Sequence, residues 1–253
     1  MKNQISRTMA LVALAVAPAL AQTTPDEGTL TITPIGFSTD YMFRGMRMGG
    51  LSYQPAIEFS KGPWELALYT NLLISEKDVM GTNNLEMDWV ASYTWTIVPD
   101  AFTIKPGVTA YTYPRAKKDE GAYNAVFEPS LSFGSSLGDI NLSLNLYYDL
   151  VQKGPTYEFA ADYTFNIASD LDLELAALAG RYDWSDLNPL VKDVKGSGNY
   201  FQAGVTLPYE FSKRSVLKAG WYYSKGYYFD GDSGDKTGEL GKGVFTLSYS
   251  YTF

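Results

Sequence analysis

Apolar and polar side chains alternate with a period of two along most of the chain. The pattern is clearest in the last nine residues, where Phe245, Leu247, Tyr249, Tyr251 and Phe253 alternate with threonine and serine. This period places successive side chains on opposite faces of an extended strand. Twelve such runs predict twelve strands, near residues 30–44, 51–60, 64–74, 84–97, 102–112, 122–133, 139–149, 155–166, 171–182, 198–211, 215–227 and 242–253.

The connections between these runs alternate between tight and long. We predict tight turns at 61–63, 98–101, 134–138, 167–170 and 212–214, and long loops at 75–83, 113–121, 183–197 and 228–241. Short periplasmic turns, long external loops and an even strand number are typical of outer-membrane barrels. The predicted fold class is therefore all-β, a transmembrane antiparallel up-and-down β-barrel of twelve strands.

One face of the predicted strands is apolar, with aliphatic residues in the middle of strands and aromatic residues such as Trp64, Trp95 and Tyr148 towards their ends. Lipid should cover this face, because two aromatic girdles flank the apolar band of a membrane barrel. A soluble β-sandwich or lipocalin-like barrel with the same residues in its core is the alternative. That alternative does not require aromatic residues at strand ends.

The N-terminal segment has the features of a secretory signal. Basic residues precede a short apolar run, 9–20, and small residues lead up to Ala21. A membrane anchor is the alternative, but a helical span needs about 20 apolar residues. We predict a signal peptide over 1–21, a short periplasmic segment over 22–28 and the barrel over 29–253.

The polar face of the predicted strands is rich in acidic residues. The net charge of −8 becomes −10 once Lys2 and Arg7 are removed, which argues against nucleic acid as a partner. Only Arg44, Lys105 and Lys218 offset the acids of the polar face. This imbalance predicts a hydrated, acidic lumen. The alternative is a plug in which the acids pair with bases and tyrosines. The candidate lumen-lining residues for selectivity are Asp40, Glu58, Glu65, Glu86, Asp88, Glu128, Glu158 and Asp162.

The composition argues against enzymatic and metal chemistry. The chain has no cysteine and no histidine, and histidine is the residue on which barrel lipases, deacylases and proteases rely for proton transfer. Glu86 and Asp88 share a face, but a patch of negative potential explains them better than an acid–base pair. The acidic loop 229–239 lacks the spacing of an EF-hand. We predict no catalytic residue, no metal site and no cofactor.

Residues 37–71 carry a motif. Its residues are Ser38, Thr39, Asp40, Tyr41, Phe43, Arg44 and Gly45, followed by Gln54-Pro55-Ala56 and Gly62-Pro63-Trp64. The segment resembles the opening hairpin of the TorF-type porin family, a bacterial outer-membrane family of poorly defined function. The resemblance implies an outer-membrane barrel and a channel.

Alternation along the predicted strand 30–44 gives the motif its own interpretation. Tyr41 and Phe43 should face lipid, whereas Asp40 and Arg44 should point inward and pair with neighbouring strands at the barrel seam. The alternative for Asp40 and Arg44 is a role in substrate selection. Gly45, with the glycines at 49–50, should form the turn that follows.

The predicted function is an outer-membrane channel for passive diffusion of small hydrophilic solutes, with a preference for cations. The alternative is a non-conducting structural or scaffolding barrel. Tyr249, Tyr251 and Phe253 are the predicted assembly signal in the closing strand. Expected partners are outer-membrane lipid and lipopolysaccharide, the assembly machinery, and small solutes or ions. The sequence leaves the oligomeric state open.

Overall fold

The computed structural model describes residues 28–75, 85–99, 101–116, 124–185, 196–230, 236–238 and 241–253. The predicted signal peptide lies outside these ranges, as do most of the predicted periplasmic segment, the middle of the long loops and much of the acidic loop 229–239. Among the described residues, none forms a helix long and apolar enough to cross a membrane.

Within those ranges the chain forms seventeen strands and no helix. Their bounds are β1 (Thr29–Ser38), β2 (Tyr41–Phe43), β3 (Met46–Gly49), β4 (Ser52–Tyr53), β5 (Ala56–Lys61), β6 (Trp64–Leu73), β7 (Leu85–Tyr93), β8 (Trp95–Val98), β9 (Phe102–Thr112), β10 (Ala125–Leu137), β11 (Ile140–Asp149), β12 (Gly154–Ala168), β13 (Leu171–Trp184), β14 (Gly196–Ser212), β15 (Ser215–Asp230), β16 (Lys236–Gly238) and β17 (Lys242–Thr252).

The wall of the molecule is a closed antiparallel barrel. Neighbouring strands pair in chain order, and β1 pairs with β17 to close the ring. Strands β4 and β5 are two parts of one wall strand, as are β7 and β8, and β16 is a short extension beside β15. The wall therefore has the twelve strands that the sequence predicted.

Exposure along single strands confirms the alternation of faces. In β11, Leu144 is 43% exposed on the outside, while its neighbour Asn145 is 2% exposed on the inside. Trp64, Leu66 and Trp89 are likewise exposed on the outer surface. Large apolar side chains on the outside of a closed barrel require an apolar surrounding, because water would disfavour so large an apolar surface. This result excludes the soluble alternative.

The wall is higher on one side than on the other. Strands β12 to β15 contain 15, 14, 17 and 16 residues, whereas β6 contains 10. At the end with short turns, β10 continues to Leu137 and β12 to Ala168, so the predicted turns at 134–138 and 167–170 were too long. Turn-forming residues occur in both segments, glycine and serine in the first and serine and aspartate in the second, but ladder hydrogen bonds use the backbone and form with any non-proline residue.

One pair of strands does not belong to the wall. Strands β2 and β3 form a separate two-stranded sheet, connected to the wall through β1 and β4. Tyr41 and Met42 are 3% and 2% exposed, so this hairpin lies in the lumen. We call residues 41–49 the luminal hairpin. The predictions that strand 30–44 is continuous, and that Tyr41 and Phe43 face lipid, were wrong because β1 ends at Ser38 and the chain turns inward.

Candidate functional site

The luminal hairpin begins at a bend fixed by hydrogen bonds. The Ser38 hydroxyl donates to the carbonyl oxygen of Asp40 at 2.6 Å. The backbone N–H of Thr39 donates to the carbonyl oxygen of Phe245 in β17 at 3.0 Å. These bonds satisfy polar groups where the chain leaves the wall, and they direct the following residues into the lumen.

The tip of the hairpin is a two-residue turn. Phe43 pairs with Met46, and the residues between them, Arg44 and Gly45, have φ angles of 48° and 77°. Positive φ at both central positions defines a type I′ turn, the geometry that best joins two twisted strands. Gly45 thus forms the turn together with Arg44, and the predicted participation of the glycines at 49–50 was wrong.

Apolar side chains of the hairpin pack against the high side of the wall. Phe43 and Met46 contact a buried cluster that includes Tyr182, Trp184 and Tyr200. Met42 packs on the other side, in a cluster with Tyr222 and Val244. At the tip, a methyl group added to Gly45 would lie 2.7 Å from the Cα atom of Gly226. The turn and β15 are therefore in direct backbone contact.

A buried ion pair connects the hairpin tip to the far wall. The two terminal nitrogens of Arg44 each donate a 2.8 Å hydrogen bond to Glu128 on β10. Both side chains are buried, at 5% and 1% exposure. Burial alone would lower the pKa of Arg44, but Glu128 more than compensates, so the net pKa is raised and the guanidinium stays charged.

A second polar contact lies at the base of the hairpin. The Tyr41 hydroxyl donates to Glu86 on β7 at 2.9 Å, and Glu86 lies next to Asp88 on the same strand. Burial raises the pKa of Tyr41, and the negative charges of Glu86 and Asp88 raise it further. The phenol therefore stays protonated and remains a donor at neutral pH.

Asp40 connects the hairpin to the barrel seam. Its carboxylate forms ion pairs with Arg47 of β3 at 2.6 Å and with Lys242 of β17 at 3.6 Å. Lys242 lies on the strand that closes against β1, so Asp40 does pair across the seam. The corresponding prediction for Arg44 was wrong, because its partner Glu128 lies across the lumen.

The other candidate residues lie on the inner face, mostly at a distance from the hairpin. Four of them have a hydrogen-bond or ion-pair partner on the wall. Glu58 accepts from Tyr69 at 2.6 Å, Glu65 pairs with Lys105 at 2.5 Å, Glu158 accepts from Tyr200 at 2.6 Å, and Asp162 accepts from Asn141 at 2.8 Å. The structure brings Glu86, Asp88, Glu128 and Glu158 to the hairpin and leaves Glu58, Glu65 and Asp162 apart from it.

The contacts around the hairpin match the plug alternative in one half of the barrel. The hairpin contacts wall strands on all sides of the ring, among them β7, β10, β13, β15 and β17. The simple expectation of an unobstructed lumen is corrected for this half, which adjoins the long connections.

Several residues of the site are not among those predicted from the sequence, namely Arg47, Tyr111, Tyr147, Trp184 and Lys242. The run Tyr41-Met42-Phe43 held a usable signal. Three consecutive apolar residues break a period of two and indicate an element buried on both faces.

The predicted assembly residues lie at the seam. Tyr249 and Tyr251 are on β17 and pair with residues of β1. The N–H of Phe253 donates to the carbonyl oxygen of Leu30 at 2.8 Å, and its ring packs edge-on against Tyr251. These contacts close the ring, and the role of the three residues in assembly stays a prediction.

Comparison with known sequences gives one family. A family profile described as "Bacterial protein of unknown function (Gcw_chp)" matches residues 22–186. The chain belongs to the Gcw_chp family. The matched segment contains the luminal hairpin and its partners Glu86 and Glu128, whereas the contacts on β14, β15 and β17 lie beyond it. No curated protein sequence matches the chain.

Several solved structures are similar to this Gcw_chp protein in fold. The COG4313 outer membrane channel from Pseudomonas putida F1 has a TM-score of 0.55 at 11% identity, over 92% of this chain and 97% of that one. The KdgM porin in complex with disordered oligogalacturonate has a TM-score of 0.53 at 14% identity, over 89% of this chain and 99% of that one. The NanC porin has a TM-score of 0.51 at 12% identity, over 88% of this chain and 98% of that one.

These likenesses agree with the closed ring and its apolar outer surface. The fold is that of a bacterial outer-membrane β-barrel, and the protein is located in the outer membrane. Membrane lipid covers the exposed apolar side chains of the wall.

Proposed function

We propose that the protein is a porin-like outer-membrane channel for small hydrophilic solutes, with a preference for cations, and that the luminal hairpin closes it. The observation that carries this proposal is the charge of the inner face. Buried or half-buried carboxylates there include Glu58, Glu86, Asp88, Glu158 and Asp162, and none of these five is ion-paired to a base among the described residues. Their negative potential favours cations.

Polar groups away from the hairpin support a hydrated lumen. Ser92, Thr103 and Asp162 each have a buried side-chain oxygen with no hydrogen-bond partner among the described residues. These residues lie on three different wall strands, in the half nearer the short turns. Unpaired buried polar groups are costly, so we infer that solvent or a passing solute meets them.

The hairpin determines whether this lumen conducts. It occupies the other half of the barrel, and its ion pair with Glu128 is fully buried. In the proposal, passage therefore requires the hairpin to leave the lumen, as a segment with two discrete positions.

The second candidate function is a non-conducting scaffold. The buried, bidentate Arg44–Glu128 pair favours it, because such a pair holds the hairpin in one position. Both the channel and the scaffold are proposed as non-catalytic, since the chain has no histidine.

Some narrower points belong to the same proposal. The motif at 38–45 supports a relationship to TorF-type porins, a name that the matching family does not carry. Lipopolysaccharide would meet the outer surface on the side of the long connections, and assembly machinery would recognise β17 through Tyr249, Tyr251 and Phe253.

Planar-bilayer recordings test the proposal. The parent protein is compared with a variant in which Gly and Ser residues replace 41–49. We expect the variant to conduct steadily and its reversal potential in a salt gradient to show cation preference. Folded variant protein without conductance would overturn the channel in favour of the scaffold. Anion preference would overturn the assignment of selectivity to the acidic inner face.

A further inference from the structure

The side chain of Arg44 lies in a pocket built by the wall. Glu128 binds the guanidinium through two hydrogen bonds of 2.8 Å. The rings of Tyr147 and Trp184 lie 5.1 Å and 5.9 Å from its central carbon, within the range of cation–π attraction. A planar cation with a fork of donors between aromatic rings and a carboxylate is a recognition geometry specific to guanidinium groups.

Residues of the wall also hold one another in place around this pocket. The Tyr111 hydroxyl donates to Glu128 at 3.1 Å, and both residues lie on paired wall strands, β9 and β10. Trp184 stacks on Tyr182, with 4.3 Å between ring centres. Glu158, held by Tyr200, adds a second carboxylate near the guanidinium. We call Tyr111, Glu128, Tyr147, Glu158 and Trp184 the guanidinium pocket.

One ring of the pocket also has an unused hydrogen-bond donor. Trp184 is 2% exposed, and its Nε1 has no hydrogen-bond partner within the described part of the chain. A buried indole N–H normally has an acceptor. The donor on Trp184 is thus not used by Arg44.

The backbone conformation of the turn does not favour arginine at position 44, so the contacts of the side chain account for this residue. Its φ of 48° is left-handed, a conformation that the β-carbon disfavours and that glycine or asparagine adopts more easily. A strained residue persists where the surrounding contacts compensate, and such residues cluster at ligand sites and switch regions. Here the compensating contacts are those of the guanidinium pocket.

We propose that the guanidinium pocket is a binding site for small solutes that bear a guanidinium group, and that Arg44 occupies it as a tethered stand-in for them. A solute of this class competes with Arg44, and by replacing it releases the hairpin tip. The binding site stands on its own geometry, whereas the resulting opening rests on the channel function proposed above. Because Arg44 is tethered, it competes at a high effective concentration.

Binding is tested first, on purified protein in detergent micelles. Arg44→Gly removes the side chain and suits the left-handed turn, and Arg44→Asn serves as a second variant that tolerates the same backbone. Methylguanidinium is titrated against ethylammonium, which has the same charge without the planar fork. The temperature at which the barrel loses its compact, heat-modifiable gel migration is the readout, since a ligand stabilises the state that binds it.

We expect methylguanidinium to stabilise the Arg44→Gly protein at concentrations roughly tenfold or more below those of ethylammonium, from the two additional charge-assisted hydrogen bonds. In the double variant Arg44→Gly/Glu128→Gln, the difference between methylguanidinium and ethylammonium should disappear. This double variant also controls for the denaturing action of guanidinium. Equal effects of the two cations on both single variants would overturn the site.

Conductance then separates the two proposals. Methylguanidinium should raise the open probability of the parent channel and ethylammonium should not. Selective binding in protein that conducts under no condition, with or without the hairpin, would retain the site and overturn the channel function. Conductance without selective binding would overturn the site and retain the channel.

Discussion

Arg44 and Glu128 form a two-point ion pair that crosses the lumen of the barrel. Arg44 lies in the segment between β1 and β4, whereas Glu128 is on β10, with β5, β6, β7 and β9 lying between along the ring. Both side chains are buried, so solvent screens their attraction little. This salt bridge therefore ties a loop near the start of the chain to the opposite side of the wall.

Replacing Glu128 by Gln should release the hairpin. The substitution leaves the Arg44 charge buried without a counter-charge, and breaking a buried pair in this way costs about 3 kcal/mol or more. Hydrogen exchange of the backbone amides at 41–49 should become faster, while exchange in the wall strands should not.

Glu65→Gln is the matched control. Glu65 also forms an ion pair, with Lys105, but it is 44% exposed, and exposed pairs contribute about 0–1 kcal/mol. Equal exchange of the hairpin amides in both variants would contradict a structural role for the buried pair.

Gly45→Ala should also release the hairpin, for steric reasons. The added methyl group would lie 2.7 Å from Gly226 Cα and from Tyr200 Cβ, too close for either to accommodate without movement. Gly62→Ala is a close control, because Gly62 also has a positive φ, 58°, but nothing lies within 4 Å of the position.

Both glycine substitutions carry the backbone cost of about 1–2 kcal/mol for a left-handed residue with a β-carbon. Only Gly45→Ala should accelerate exchange at 41–49. If Gly62→Ala has the same effect on those amides, close packing of the tip on β15 is not the cause.

The two faces of β11 should respond differently to a charge. Leu144 is near the middle of the strand and points to lipid, so Leu144→Arg should destabilise the barrel by about 2–4 kcal/mol. Ser143 is its inward-facing, half-buried neighbour, and Ser143→Arg should cost much less. Denaturant titrations of folding into vesicles measure both, and the opposite order would contradict the assignment of faces.

Neutralising the acidic pair on β7 should reduce cation preference. Glu86→Gln with Asp88→Asn removes negative charge from the inner face, so the reversal potential of the channel in which Gly and Ser residues replace 41–49 should move towards zero. Screening should have a similar effect, as the Debye length falls from about 10 Å at 0.1 M salt to about 3 Å at 1 M.

Trp89→Phe, on the lipid side of the same strand, should leave the reversal potential unchanged. An unchanged preference in the double variant would show that other acids set the selectivity.

The wall was predictable from the sequence because each wall strand has one face towards lipid and one towards the lumen. In β6 and β11 this difference alone gives the period of two, the strand and its faces. The hairpin was not predictable in the same way. Alternation of Asp40 and Arg44 imitates a continuing strand, and the three apolar residues at 41–43 are too short a run to show by themselves that the chain leaves the wall.

The partners of Arg44 were hidden for a further reason. Glu128, Tyr147 and Trp184 are far from Arg44 in sequence, and their meeting depends on how the ring closes. The excess of inward acids over inward bases predicts a negative lumen. It did not indicate that tyrosine hydroxyls, such as that of Tyr200 on Glu158, satisfy several of the acids.

The position of the hairpin also imposes an order of events on folding. The surface that receives it is drawn from β7, β10, β13, β15 and β17, and those strands surround a common space only after the ring has curled. Contacts between segments so distant in the chain form late, because the intervening chain must first be ordered. The surface that receives residues 41–49 is therefore complete only once these strands have come together, so docking of the hairpin depends on the curling of the ring.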